Sequence, residues 1–115
     1  MPVIHTHVSV STTPAQRDAL KAAYGKAISA VPGKSEHWLM CPFEDNMPIY
    51  FAGDNTKPAA YVEVNVFGSS VPGSAWEKLT EQIMAALERE LGIPQDRTYI
   101  PVSYTHLTLP TSDLV

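Results

Sequence analysis

The chain has 115 residues, with eight Lys or Arg against twelve Asp or Glu and a formal net charge of −4. That length sets one domain with room for a single core, and the mildly acidic balance offers no basic stripe for nucleic acid. No apolar run approaches the ~20 residues that span a bilayer, no cleavable leader precedes Pro2, and the single cysteine, Cys41, excludes an internal disulfide framework. Cytoplasmic synthesis without membrane attachment is therefore expected, and any export would be signal-independent.

The first element begins almost at the terminus. Val3, Ile4, Val8 and Val10 are β-branched and apolar, so residues 2–10 read as a strand. A small residue after the initiator Met favours its removal, which would leave Pro2 with a free secondary amine pinned into the protein body. Ser11-Thr12-Thr13-Pro14 is a helix start, with a hydroxyl cap ahead of a first-turn proline. Leu20, Ala23, Tyr24, Ala27, Ile28 and Val31 recur at three-and-four spacing, which predicts an amphipathic helix over about 14–31, stopped by Pro32-Gly33. His37 to Phe43 reads as a second strand, mostly buried on both faces. Residues 44–58 carry Pro48, Gly53, Asp54, Asn55 and Pro58, a loop or short hairpin with Ile49-Tyr50-Phe51 as an apolar insert.

The second half repeats the plan. Ala60 to Phe67 alternates as a strand, and Pro72-Gly73-Ser74 leads into a helix with Trp76, Leu79, Ile83, Leu87 and Leu91 on one stripe. Gly92 ends it, and Arg97-Thr98-Tyr99-Ile100 begins a last strand. One constant offset places Leu20 on Leu79, Ile28 on Leu87 and Gly33 on Gly92. The chain is thus a doubled βαβ unit. Right-handed crossovers predict an α+β fold, a four-stranded mixed sheet with both helices on one face. The other face is left bare, a reason to expect partner subunits.

Met1-Pro2 opening a strand, Pro32-Gly33-Lys34 after the first helix, Phe67-Gly68 after the third strand, and Ile93-Pro94-Gln95-Asp96-Arg97-Thr98-Tyr99-Ile100 together resemble the macrophage migration inhibitory factor family of the tautomerase superfamily. The resemblance covers residues 1–100. It implies a homotrimer whose sheets line a central barrel, with active sites between subunits. It also implies a cofactor-free keto–enol tautomerase acting on aryl pyruvates and related 2-oxo acids. By the same resemblance Pro2 is the catalytic base, Lys34 meets the substrate carboxylate, Phe67 borders the pocket, and Tyr99 reaches in from a neighbouring subunit. An alternative role is that of a cytokine mimic, with a host receptor bound through the trimer surface.

The chemistry is coherent on its own terms. A proton taken from the α-carbon of a 2-oxo acid and returned elsewhere needs one group that serves as base and then acid. Free α-amino groups titrate at roughly 7.7–8.0, and apolar walls together with a nearby Lys34 cation lower that value. Such a group typically contributes about 10²–10⁴-fold. Relatives that hydrate, dehalogenate or decarboxylate add a pocket arginine or acid, for which no strong candidate stands at the matching positions.

Other conspicuous residues read as structural. His5 and His7, two apart on a strand, share a face and could in principle hold a metal, but no third convergent ligand is evident in the sequence, and no metal is expected. Cys41 reads as a small core residue, and Pro58-Ala59-Ala60-Tyr61 stands where better-known family members carry Cys-x-x-Cys, so no thiol–disulfide activity is implied. Glu44-Asp45 reads as loop solvation and Asp96-Arg97 as an ion pair at a strand entry.

The end of the chain departs from the family. Val102 to Thr111 is the in-frame translation of the transposase adapter used in DNA library preparation, and Ser112-Asp113-Leu114-Val115 fits the index and stop that follow it. Residues 1–101 are therefore read as the tautomerase domain and 102–115 as an adapter-derived tail. That reading removes functional weight from Tyr104 and His106, and predicts weaker trimerisation, because the family's own tail packs across the subunit interface.

Overall fold

The computed structural model describes residues 2–67 and 71–105, with the side chains of Phe67 and Val102–Thr105 outside the description. Met1, Gly68 and tail residues 106–115, on which some of the expectations above fall, lie outside the described residues. The sheet runs in the order β2-β1-β3-β4, with β1 at Val3–Val8, β2 at Phe43–Glu44, β3 at Ala60–Phe67 and β4 at Thr98–Tyr99. β5, Val102–Thr105, continues beyond β4 on the same side of β3, from Val64 to Phe67. The central pair β1–β3 is antiparallel, and each outer pair, β1–β2 and β3–β4, is parallel. This is the doubled βαβ arrangement expected from the repeat.

Helices α1, Pro14–Ile28, and α2, Gly73–Leu91, lie on one face. Ile4, Val8, Val62, Val64 and Val66 from the strands meet Leu20, Tyr24, Ile28, Leu79, Ile83 and Leu87 from the helices in one buried cluster. At roughly 1.5–3 kcal/mol for each large apolar side chain fully withdrawn from water, this layer is the main source of stability. A polar pair in its depth is matched: the hydroxyls of Thr6 and Tyr24, both fully buried, lie 2.8 Å apart. Burial also pushes the Tyr24 phenol well above its ordinary range.

The helix starts differ. Thr13 caps α1 with a reciprocal box, its hydroxyl accepting from the Gln16 N–H at 3.1 Å while the Gln16 side-chain oxygen accepts from the Thr13 N–H at 2.9 Å. Helix α2 starts after Pro72 with no side-chain cap, and ends at Gly92 in the left-handed conformation (φ 69) that closes a helix most easily with glycine.

Two local expectations need correction here. The stretch 37–43 is not a long buried strand. Glu36–Trp38 form a 3₁₀ turn, Trp38 and Met40 are 59% and 60% exposed, and only Phe43–Glu44 pair regularly with β1. Proline explains the interruption: Pro42 offers its carbonyl to the Thr6 N–H (3.0 Å) but has no N–H of its own to return. Cys41 is half-buried against the core, and burial, reinforced by the Glu36 carboxylate, pushes its thiol up to about 11. Arg97 forms no ion pair with Asp96 among the described residues. Its buried guanidinium donates to the carbonyls of Pro58 (3.0 Å), Asp54 (2.9 Å), Lys57 (3.1 Å) and Phe51 (3.4 Å), and lies over the Phe51 ring. The 51–54 segment is a tight turn, with Phe51 and Asp54 exchanging backbone hydrogen bonds across Ala52 and Gly53, both at positive φ.

Candidate functional site

Pro2 is buried at the entry to β1, and its carbonyl accepts from the Met40 N–H at 3.1 Å while the Ile4 N–H donates to the Met40 carbonyl at 2.9 Å. Pro2 is thus held between two chain segments, close to an end where most chains fray. The register pairs Val3 with Asn65, and one further step sets Pro2 level with Val66, beside Phe67. Lys34 is half-buried in the connection that leaves α1, its N–H donating to the Val31 carbonyl at 3.1 Å just after Gly33 takes φ 79. That connection runs on to Met40 beside Pro2. Pro2, Lys34 and the end of β3 therefore occupy one end of the sheet.

Tyr99 lies elsewhere. It pairs with Tyr61 at the opposite end of β3, six residues from Phe67, which is about 20 Å along a strand at ~3.3 Å per residue. It is 60% exposed, its ring stacked on Tyr61 at 6.1 Å. A single chain does not bring Tyr99 to Pro2.

A surface hollow of about 500 Å³ lies between the helices and is lined by Ala19, Ala23, Lys26, Gln82, Ala85 and Arg89 among others, away from Pro2. A smaller one, about 230 Å³, lies between Ala30-Pro32 and Pro72-Ala75, next to the connection that carries Lys34.

The helix-free face carries groups that did not stand out as a set in the sequence. Glu44, His7, Tyr61 and Tyr99 form one row across four strands, with His5 opposite Glu63 in the next row. The Glu44 carboxylate lies 2.8 Å from His5 Nε2, which corrects its reading as loop solvation, and the Glu63 carboxylate lies 2.9 Å from His7 Nε2. Asp45 accepts from the Thr12 N–H and hydroxyl, both at 3.1 Å, and these bonds lower its pKa below the ordinary value. No helix among the described residues is long and apolar enough to cross a membrane.

A doubled βαβ sheet of this order, with two helices on one face and a buried proline at position 2, defines a tautomerase-type α+β fold. Leishmania major MIF2 matches with a TM-score of 0.84 at 40% identity, covering 91% of this chain and 89% of that one. The macrophage migration inhibitory factor of Toxoplasma gondii matches at 0.81 with 30% identity (90% of each chain), and the Prochlorococcus marinus homologue at 0.76 with 30% identity (88% and 86%). The chain belongs to the macrophage migration inhibitory factor family. No protein-family model matches the sequence, and a search of curated proteins finds no match.

Proposed function

We propose that the protein is a cofactor-independent keto–enol tautomerase of 2-oxo acids of the aryl-pyruvate kind, with Pro2 as the acid–base group. The observation that carries this reading is the burial of Pro2 between β1 and Met40, at the end of the sheet shared with Lys34 and Phe67. With Met1 removed, the Pro2 nitrogen takes the α-proton and returns it to the other terminus of the enol system. Lys34 holds the carboxylate and favours negative charge on the enolate oxygen. Phe67 borders the pocket. A homotrimer brings Tyr99 of one subunit towards Pro2 of the next, which accounts for its place at the far end of its own sheet.

Mass spectrometry establishes whether the amine is free. Pro2→Ala then lowers enolisation of an aryl pyruvate by about 10²–10⁴-fold while circular dichroism stays unchanged. An unaltered rate would remove Pro2 from the mechanism.

The tail is part of the same proposal. Residues 102–115 are adapter-derived, and the short strand Val102–Thr105 against β3 is how a β-prone foreign sequence settles on an open edge. An independently assembled locus that encodes 102–115 unchanged would refute this. So would a tight trimer persisting at low concentration, as regards the predicted loss of assembly.

A further inference from the structure

His7 presents an unsolved electrostatic problem. Its side chain is 10% exposed, and Nε2 is engaged by the Glu63 carboxylate at 2.9 Å. The other ring nitrogen, Nδ1, is buried and has no hydrogen-bond partner, yet it lies 3.0 Å from the Glu44 carboxylate oxygen Oε2. With the proton on Nε2, as the bond to Glu63 requires of a neutral ring, Nδ1 carries a lone pair. Two electron-rich atoms then face each other at hydrogen-bond distance with no hydrogen aimed between them. The same Oε2 lies 2.8 Å from His5 Nε2, and the two imidazoles stand 4.1 Å apart between centroids.

We propose that His5, His7 and Glu44 form a binding site for a divalent transition-metal ion of the zinc type on the helix-free face of the sheet. His5 Nε2, His7 Nδ1 and Glu44 Oε2 are the donors, their ligand atoms already within 4.8 Å of one another. A tetrahedral ion with bonds of about 2.0–2.1 Å separates its ligands by roughly 3.4 Å, so side-chain movements of up to about an ångström admit it. Two imidazoles and one carboxylate suit zinc and its neighbours over calcium or magnesium. On binding, His5 takes the tautomer with its proton on Nδ1, the nitrogen 3.8 Å from the Glu63 carboxylate, which frees the Nε2 lone pair for the ion, and the lone pair of His7 Nδ1 gains the cation it faces. Glu63 is a positioning residue: it fixes the His7 tautomer from behind, as carboxylates behind ligating histidines do. Three protein donors leave a fourth position for water or another ligand. The ion would join β1 to β2 directly, and to β3 through Glu63. This site shares no residue with the Pro2 reading and stands or falls apart from it.

The test is zinc titration of the full chain, stripped with chelator and free of any histidine tag, followed by calorimetry. One zinc per chain is expected, with binding weakened at least 100-fold in His7→Asn and in Glu44→Gln, and about 10–100-fold in Glu63→Gln. Cobalt(II) should give the intense visible absorption of a four-coordinate ion in the parent protein and lose it in His5→Asn. Should a variant misfold, paramagnetic cobalt in the parent chain provides the second measurement: broadened resonances should centre on His5, His7 and Glu44. Absence of stoichiometric zinc binding, affinity unchanged by the substitutions, or broadening centred on His37, Cys41 or His106 would overturn the proposal.

Discussion

The two faces of the sheet are drawn from alternate residues of the same strands and have opposite characters. Along β1, Ile4, Thr6 and Val8 turn to the helices and are at most 1% exposed, while His5 and His7 turn away. Along β3, Val62, Val64 and Val66 are buried, and Tyr61, Glu63 and Asn65 are half-buried. The strand period of two puts these sets on neighbouring residues yet in different media. The comparison teaches a division of labour: the helix-covered face supplies stability, and the helix-free face keeps ionisable groups close together without the apolar cover that would force them neutral.

The largest effect should come from the covered face. Ile83→Ala removes a fully buried side chain from α2 and should cost about 2–5 kcal/mol in urea unfolding. Without metal, His5→Asn should stay within about 1 kcal/mol of the parent, since its side chain is 30% exposed. Equal losses would erase the distinction between the faces.

A smaller effect tests the polar pair inside the covered face. Tyr24→Phe leaves the Thr6 hydroxyl buried without its partner and should cost about 1–3 kcal/mol, whereas adding Thr6→Val should recover most of the loss. Additive losses in the double variant would show the pair to be packing alone.

The smallest effect lies at the sheet edge and depends on pH. Folding holds the Cys41 thiol protonated to about 11, against 9.0 for the unperturbed group. From pH 9 to 11 the unfolded chain therefore binds fewer protons than the folded one, so stability is complete below pH 9 and declines across that window. Cys41→Ala should flatten the slope there, as read by thermal unfolding at stepped pH. An unchanged slope would assign the decline to another group.

Much of the covered face was legible in the sequence, because it is written in periodicity. Leu20 and Leu79, Ile28 and Leu87, and the glycines at 33 and 92 mark two copies of one strand–helix unit, and both copies fold as such. Thr13 before Pro14 announced its own cap. The stretch 37–43 misled because an apolar run of strand length carries no sign of which residues lose their ladder bonds, and Pro42 decides that only once β1 lies beside it. The helix-free face was half legible. His5 and His7 share a face by spacing alone, but Glu44 is 39 residues from His5 and Glu63 is 56 from His7, and only strand register brings them in. Pro2, Lys34 and Phe67 were singled out by resemblance, and the topology sets them at one end. Tyr99, singled out by the same resemblance, falls instead at the opposite end of β3.

The Arg97 clasp has a practical consequence. Its guanidinium holds carbonyls on both sides of the exposed turn at Ala52-Gly53. Cutting the chain between those two residues would leave both new ends tied to one side chain. A protease nick there should yield two fragments that travel together through gel filtration and part only in denaturant. By the same reasoning, this turn is where an engineer can open the polypeptide, giving it new termini or an inserted reporter, without disturbing either face of the sheet.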